Sequence, residues 1–547
     1  MHLPRRRLPG GLVFVNSGFG SVYAVVGNLA LALGPDERPA VTAVGWLALT
    51  QGSTYDGFMS RDLREDRLVK QNPIEIVRPT AASLGRLHSP VASRLAAVLL
   101  VIGLAWGVQA TAPAPVGASQ VASPQNPEFL KAADEVLQQM SVILHLPIKQ
   151  PLKKSLRSKQ EIRAYLIQAD KEDKDDAQRY ADAKSLEAFG LIPKNFPLDS
   201  FMLDVLTEQV AGLYDPKAKE FYIADWIPAD EQRDVMSHEL THALEDQSFD
   251  VDPWIKAARP NDDAELARDS VSEGTALAAM LDYSLRDQHL SIREIGDVTA
   301  LIRPGAIEEM DKDSNLAKAP IVIRDSLLFP YLAGTAFSQQ FLKAHTGWED
   351  LHLLFEHPPV STQQIIHPDF YLKGVGPAKV ILPKLKTLVP EGWKPLEENV
   401  MGEFGVEEIL KQFLDPARAA QLAPSWDGDR YALFEDAKTK DTRLVFLLAL
   451  ETTDDAARFF GQYSEALEMK YSSRTQLYRR PNFFQFQTDI GGVFLRCVDL
   501  QCITVEGATR QTFDAINRSI GWPPAPGPVE VNPSVAQIPN TVVHPAR

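Results

Sequence analysis

Residues 238–242 read His-Glu-Leu-Thr-His, and this run constrains the chain more than any other feature of its sequence. Two histidines four residues apart on an α-helix lie one above the other on the same face. Both imidazoles can therefore reach one metal ion, and Zn²⁺ is the ion that such pairs most often bind. The sequence thus predicts a helix with His238 and His242 as ligands of a zinc cofactor.

Glu239 directly follows the first histidine, where its carboxylate can take a proton from a water molecule at the metal. Zinc lowers the pKa of a bound water towards 7 and polarises a carbonyl group that is to be cleaved. We therefore expect Glu239 to act as the general base and to pass the proton on to the leaving amine.

A catalytic zinc usually has three protein ligands and one open position, so a further ligand is needed. Residue 248 is serine, which excludes a third histidine at that place. We expect a second helix at about 263–283, with small residues that allow close packing against another helix. Glu273 is the predicted third ligand, and Asp269 is expected to accept an N–H from a ligand histidine. The alternative is a solvated stripe of acidic residues.

The run 238–242, followed about thirty residues later by Glu273-Gly-Thr-Ala, resembles the gluzincin metallopeptidases. The closer resemblance is to uncharacterised bacterial secreted members, which carry a His-Glu-x-x-His-Ala-Leu-x-Asp-Gln run, here residues 238–247. Such proteins also tend to carry a phrase like the one from Pro358 to Pro368. The resemblance covers about residues 195–372. It implies a His, His, Glu ligand set and an α+β, thermolysin-like catalytic domain that is mostly helical.

The same resemblance implies a small sheet whose edge strand precedes the HExxH helix and pairs with an extended substrate. Residues 209–215 and 220–225 read as two short strands around a turn, in agreement with that arrangement. An exposed strand edge binds peptide backbones with little sequence preference. The alternative is an ordinary structural hairpin.

The negative charge that develops on the cleaved carbonyl needs a hydrogen-bond donor besides the metal. Two residues that follow the ligands in the chain are candidates, namely Tyr331 and His367. A histidine before a proline, as His367 is, is more often a capping or buried structural residue, and that alternative stays open.

These features together predict an exported zinc endopeptidase that acts on a peptide or protein substrate. Two other classes remain open: a zinc hydrolase of a non-peptide amide or ester, and a non-catalytic envelope or binding protein with a structural zinc site. The formal net charge of −16 argues against general nucleic-acid binding, which needs a basic surface.

Residues 84–112 read as a signal peptide or membrane anchor, because a basic flank precedes fourteen apolar residues and a small-x-small site. The expected location is periplasmic or extracellular, and the alternative is a single membrane anchor at 95–112. Because a signal should begin the chain, residues 1–83 are interpreted as a spurious or poorly structured extension. Cys497 and Cys502 are expected to form a disulfide, with two free thiols as the alternative.

The predicted organisation downstream has five parts: a linker at 113–127, the zinc peptidase domain at 128–373, a linker at 374–395, a C-terminal α+β domain at 396–521 and a disordered Pro-rich tail at 522–547. Helices are expected at 128–143 and 159–190. In the C-terminal domain we expect helices at 405–414, 453–468 and 508–519, with strands near 430–435, 443–451 and 474–505.

Overall fold

The computed structural model describes residues 127–226, 232–303, 311–390 and 392–527. The predictions for 1–83, for 84–112, for the linker before residue 127 and for the tail from 528 onward lie outside these ranges. Among the helices within them, none is both long and apolar enough to cross a membrane. The described part is an α+β structure in which a helical region is followed by a separate C-terminal domain built on a seven-stranded antiparallel sheet.

The helical region contains one small sheet of three strands, β1 (Lys153–Arg157), β2 (Gly212–Asp215) and β3 (Glu220–Ala224), in the order β1-β3-β2. The predicted pair of strands is confirmed, because β2 and β3 run antiparallel around a turn. Strand β1 lies parallel to β3 and was not predicted. Its sequence, Lys-Lys-Ser-Leu-Arg, lacks the apolar alternation that marks a strand, and only its partner strand defines it.

Twelve α-helices of this region are described: α1 (Pro127–Ile143), α2 (Lys159–Asp173), α3 (Asp176–Phe189), α4 (Leu198–Gln209), α5 (Gln232–Phe249), α6 (Val251–Lys256), α7 (Asp262–Leu285), α8 (Thr299–Arg303), α9 (Ile321–Ala344), α10 (His352–Glu356), α11 (Thr362–Ile366) and α12 (Pro368–Leu372). The helices predicted through 238–242 and over 263–283 are confirmed as α5 and α7. The single helix predicted over 159–190 is wrong. Asp175 adopts an extended conformation and caps α3 by accepting a hydrogen bond from the Gln178 N–H, which ends one helix and begins the next.

Helix α7 is the centre of the helical region, and its residues from Gly274 to Leu285 are all buried. It crosses α9 with backbone in contact, because a Cβ on Gly274 would lie 2.2 Å from the Gly334 carbonyl. A Cβ on Gly334 would in turn lie 2.1 Å from the Ser270 carbonyl oxygen. The prediction that small residues let this helix lie close against another is therefore confirmed.

The C-terminal sheet has the strand order β4-β5-β6-β10-β9-β8-β7. Its strands are β4 (Trp393–Asn399), β5 (Trp426–Asp436), β6 (Thr442–Leu450), β7 (Thr475–Arg480), β8 (Phe483–Thr488), β9 (Gly491–Val498) and β10 (Gln501–Ala508). Its helices are α13 (Gly402–Phe413), α14 (Pro416–Leu422), α15 (Thr453–Lys470) and α16 (Arg510–Ser519). Strand β4 was not predicted because it contains Pro395, which a strand tolerates at the edge of a sheet.

The two faces of this sheet have separate cores, one shared with α13 and α15 and the other with α16. Phe189 of α3 enters the first core and packs edge-on against Tyr431 and Phe446, with ring centroids 5.2 and 5.3 Å away. Cys497 and Cys502 lie opposite each other on β9 and β10 and are bonded as a disulfide. The helical region therefore shares a hydrophobic core with the C-terminal domain.

Candidate metal centre

Helix α5 presents His238 and His242 on one face, and their Nε2 atoms lie 3.2 Å apart. Helix α7 brings Glu273 to the same place. Its Oε2 lies 3.2 Å from Nε2 of His238 and 3.5 Å from Nε2 of His242. In the described part of the chain, these three residues form the one group of His, Cys, Asp and Glu side chains arranged closely enough to hold a metal ion.

The triangle formed by these three atoms fits a tetrahedral zinc ion. Ligands at about 2.05 Å from zinc in tetrahedral geometry lie roughly 3.3 Å from one another, which matches the observed 3.2, 3.2 and 3.5 Å. The buried Oε2 of Glu273 also lacks hydrogen-bond geometry to either imidazole.

Electrostatics couple His242 to Glu273 strongly. Burial lowers the pKa of His242, but the adjacent Glu273 carboxylate raises it more, so that the net shift is above the ordinary value of 6.5. Burial raises the pKa of Glu273, but the two nearby imidazoles lower it by more. The pKa of this carboxyl group therefore lies below its ordinary value. Without a metal, this pair therefore holds a proton on the imidazole at neutral pH.

Glu239 lies beside the ligands and against strand β2. A Cβ on Gly212 would lie 3.2 Å from Glu239 Cγ and 2.9 Å from Val235 Cγ1, so that glycine lets the strand approach α5 closely. The backbone N–H of Tyr214 donates to the Glu239 carboxylate. Burial raises the pKa of Glu239 more than this hydrogen bond and the nearby imidazoles lower it. A carboxylate in this environment accepts a proton more readily than an exposed one.

Tyr331 of α9 is the predicted donor that the structure brings to the ligands. Its ring stacks on that of His238 at a centroid distance of 6.1 Å. Burial raises the pKa of Tyr331 well above 10, and the nearby carboxylates, Glu273 first among them, raise it further. The close crossing of α7 and α9 at Gly274 and Gly334 brings Tyr331 near Glu273. Gly274 directly follows Glu273, and Gly334 lies one turn after Tyr331.

His367 does not join the ligands. Its Nε2 lies 2.8 Å from the buried Oε1 of Glu403 at the start of α13. Glu403 neighbours Asp263, which is ten residues before Glu273 on α7 and hence about 15 Å away along the helix. We therefore correct the assignment of His367 as an oxyanion donor. The contact with Glu403 favours the alternative, which is that His367 has a structural role.

Residues 358–368 link the helical region to the C-terminal domain by hydrogen bonds. The backbone N–H of Thr362 donates to Asp263 Oδ1 at 2.9 Å, and the Gln363 side chain donates to the Trp426 carbonyl at 2.7 Å. With the contact of His367 to Glu403, these bonds join α11, α7, β5 and α13. No sequence signal indicated this role, because each partner lies far away in the chain.

Asp269 also differs from its prediction. It forms no hydrogen bond to a ligand histidine among the described residues; instead Ser272 Oγ lies 3.3 Å from Nδ1 of His242. Burial and the neighbouring Glu273 raise the pKa of Asp269 to about 7. The residue that contacts Nδ1 of His242 is therefore Ser272, which directly precedes Glu273.

Glu245 is a buried acid near the ligands that the sequence reasoning missed. Its Oε1 accepts a 2.7 Å hydrogen bond from the Thr275 hydroxyl, which ties α5 to α7. Burial raises the pKa of Glu245 to about 7. The sequence signal for Glu245 is its position three residues after His242. Residues one turn apart lie on the same side of a helix, so this spacing places Glu245 near the ligands.

Asp246 and Gln247, the last two residues of the run 238–247, both anchor neighbouring segments to α5. Asp246 Oδ2 accepts from the Tyr214 hydroxyl at 2.7 Å and from the Lys219 ammonium. Gln247 Oε1 accepts from the backbone of residues 149 and 150, ahead of β1. Asp246 therefore holds the edge strand β2 against the helix that carries the ligands.

Two cavities lie near the candidate ligands: one is lined in part by His238, and the other in part by Asp269. We call the first the apolar chamber; its volume is about 210 Å³. Eleven leucine, valine, alanine and glycine residues line it, together with four polar residues: Gln209, His238, Glu239 and Tyr331. The second is a wide cleft of about 1150 Å³ with many charged residues. Leu166 and Leu206 line both cavities.

Comparison with known proteins gives one match. Residues 391–517 match a family described as a domain of unknown function (DUF8575). The match begins just before β4, ends within α16 and contains none of the three candidate ligands. Among curated proteins and among solved structures, no match to this chain was found.

Proposed function

We propose that this protein is a zinc-dependent endopeptidase of the gluzincin type. The observation that carries the proposal is the triangle of His238, His242 and Glu273, whose sides of 3.2, 3.2 and 3.5 Å suit a tetrahedral zinc ion. Three protein ligands leave a fourth position open, as catalytic sites require. A helical region with a small sheet before α5 supports the thermolysin-like form of the fold.

Zinc, when bound at these residues, would lower the pKa of a water molecule and polarise the scissile carbonyl. Glu239 takes the proton from that water and returns it to the leaving amine. Its raised pKa assists the first transfer, because burial makes the carboxylate more basic. The Tyr331 hydroxyl is the donor assigned to the carbonyl oxygen as negative charge develops there.

Strand β2 is the surface assigned to the substrate backbone. It lies at the edge of its sheet, with β3 on one side and, among the described residues, no strand on the other. An extended peptide that pairs with this free edge would pass directly beside Glu239, which the Tyr214 N–H contacts. The apolar chamber beside His238 and Glu239 would take the side chain next to the scissile bond.

We further propose that the protein is exported to the periplasm or the extracellular space. The disulfide between Cys497 and Cys502 supports this, since disulfides persist in oxidising compartments and are rare in the cytosol. The basic and apolar sequence pattern of residues 84–112 supports it independently.

The proposed activity is tested with the full chain and a quenched-fluorescence peptide library. We expect cleavage that a chelator abolishes and added zinc restores. The Glu239→Gln variant keeps the shape and the zinc ligands but lacks the base, so its kcat is expected to fall by about 10²- to 10⁴-fold at full zinc content. Glu356→Gln, which alters an exposed acid at the end of α10, is the matched control and should retain full activity.

A zinc-loaded protein that cleaves no peptide but hydrolyses amide or ester model compounds would favour the second functional class. A protein that binds zinc and hydrolyses neither would favour the binding-protein class. Either result contradicts the proposed peptidase activity.

A further inference from the structure

The wide cleft near the candidate ligands is lined by more acidic than basic side chains. Most of these acids form an ion pair with a lysine or arginine that also lines the cleft. The pairs are Asp182 with Lys174, Glu172 with Lys217, Asp173 and Asp252 with Lys256, Asp173 and Glu265 with Arg259, and Asp170 and Asp199 with Arg179. Asp215 instead accepts two backbone N–H groups of the turn that follows it. Asp269 is the one lining acid to which the described residues supply neither an ion pair nor a hydrogen bond.

The side chain of Asp269 faces this cleft. Glu265 and Asp269, one turn apart on α7, both line it, whereas the intervening Leu266, Ala267 and Arg268 do not. A helix that turned its backbone to the cleft would bring consecutive residues to the lining, so this spacing is that of side chains on one helix face. Asp269 is partly exposed, and solvent in the cleft therefore reaches it.

The charges around Asp269 favour an incoming cation. The lysines and arginines of the cleft are paired with other acids, except the exposed Lys171, which has no acid of the described ranges within ion-pair distance. The charged neighbours of Asp269 on its own helix, Glu265 and Glu273, are both acids. In the zinc-loaded protein, the charges of Glu239 and Glu273 would balance that of the ion, which leaves the negative charge of Asp269 uncompensated.

Strand β2 relates this cleft to the proposed path of the substrate. Its first residue, Gly212, lines the apolar chamber, and its last residue, Asp215, lines the cleft. An extended strand covers about 10 Å over this distance. A peptide that pairs with β2 and places one side chain in the chamber would therefore place a side chain about three positions along in the cleft. Asp269 precedes Glu273 by four residues, which is about 6 Å along α7, so a long side chain suits this position.

We propose that Asp269 is a specificity-determining residue that selects peptides with an arginine or lysine within about three positions of the scissile bond. Its carboxylate accepts hydrogen bonds from the guanidinium or ammonium group of that side chain. Arginine is preferred over lysine, because a guanidinium can donate two parallel hydrogen bonds to one carboxylate. This inference rests on the proposed function for the reaction, but it makes a separate claim about recognition.

The test uses pairs of peptides that differ only by arginine or citrulline, which has nearly the same shape but no charge. The pair is placed in turn at each position within three residues of the cleaved bond. The assays are run at pH 8, because burial and Glu273 raise the pKa of Asp269 to about 7 and the carboxyl group is then ionised. For the wild-type protein at the favoured position, we expect kcat/KM to be higher for arginine by about threefold to thirtyfold.

Two variants, both compared at full zinc content, separate Asp269 from the overall charge of the cleft. Asp269→Asn keeps the shape of the side chain but removes its charge, and it should bring the ratio close to one. Asp199→Asn removes an equal charge from the same cleft, where the Asp199 carboxylate lies 3.7 Å from Arg179 Nε. This control should keep the wild-type ratio.

Two further readouts do not depend on turnover or on the folding of Asp269→Asn. Dissociation constants of the same peptides for the zinc-loaded Glu239→Gln variant should show the same preference for arginine. The wild-type ratio of kcat/KM should also fall as salt is raised from about 0.05 to 0.5 M, because salt screens a partly exposed ion pair.

The outcomes separate recognition from activity. A preference for arginine in binding without any cleavage would support the inference and contradict the peptidase activity. Cleavage with a ratio near one at every position, a ratio that salt does not change, or a ratio that is equal in the wild type and in Asp269→Asn would overturn the inference and leave the activity standing.

Discussion

The hydroxyl of Tyr214 donates a 2.7 Å hydrogen bond to the buried Asp246 carboxylate, and this bond joins the edge strand β2 to the helix that carries both candidate histidine ligands. The same tyrosine donates its backbone N–H to Glu239. One residue therefore fixes the distance between the proposed substrate-binding edge and the proposed general base.

Replacement of Tyr214 by phenylalanine tests this relationship. The change leaves Asp246 with the Lys219 ammonium as its remaining described partner, and we expect the free energy of unfolding to fall by about 1–3 kcal/mol. Because the strand edge is less well held, the KM for peptides should rise while zinc content stays unchanged. Tyr371→Phe is the control, since its hydroxyl bonds the His357 carbonyl at 2.8 Å away from β2. Equal effects on KM from both variants would contradict the assigned role.

Ser272→Ala tests the outer contact of His242. Ser272 Oγ lies 3.3 Å from the imidazole Nδ1, and loss of such a partner typically weakens metal binding by about 10- to 100-fold. The zinc dissociation constant is measured by competition with a chromophoric chelator. Ser270→Ala on the same helix removes a hydroxyl whose one bond among the described residues is to the Leu266 carbonyl, and it should leave zinc affinity unchanged. Equal zinc affinities for the two variants would count against Ser272 as the partner.

The affinity for zinc is expected to keep rising with pH above 6.5, the ordinary pKa of a histidine. Glu273 raises the pKa of His242 above 6.5, so the metal-free site keeps a proton on this imidazole at pH 7. Zinc must displace that proton, and its apparent affinity should rise about tenfold per pH unit until the raised pKa is passed. Zinc titrations between pH 6.5 and 8.5 measure the slope. A constant affinity across this range would show that His242 has an unshifted pKa.

Gly274→Ala tests the close crossing of α7 and α9. The added Cβ would lie 2.2 Å from the backbone of Gly334, so the helices must separate and move Glu273 away from Tyr331. We expect a loss of about 1–3 kcal/mol in the free energy of unfolding together with weaker zinc binding. Gly461→Ala in the middle of α15 meets nothing within 4 Å and should be neutral or slightly stabilising. Denaturant unfolding compares the two, and equal stability would contradict the crossing.

The elements that sequence predicted well are those with local signals. Helices α5 and α7 follow from the spacing of their own residues, and the strands β2 and β3 follow from a turn between two apolar runs. Strand β1 was missed because its only mark is pairing with β3, about 65 residues later in the chain. Within the site, Glu273 was chosen from spacing and the structure brings it near both histidines.

The surroundings of the three ligands could not be predicted in the same way. Asp269 and Ser272 are both near Glu273 in sequence, and only the rotation of α7 against α5 decides which one meets His242. His367 and Tyr331 both carry a hydrogen-bond donor and both follow the ligands in the chain. The packing of α9 places Tyr331 beside His238, and the packing of α13 places Glu403 beside His367. Such choices depend on contacts between distant segments, which periodicity does not encode.

His238, His242 and Glu273 are expected to bind one zinc ion together. Zinc K-edge X-ray absorption on the purified full chain with one equivalent of zinc tests this directly. We predict a first shell of nitrogen and oxygen at about 2.0–2.2 Å, with two imidazoles and no sulfur, and a loss of tight zinc binding in Glu273→Ala. A chain that retains no zinc, or whose zinc environment is unchanged by Glu273→Ala, would contradict a shared zinc site at these three residues.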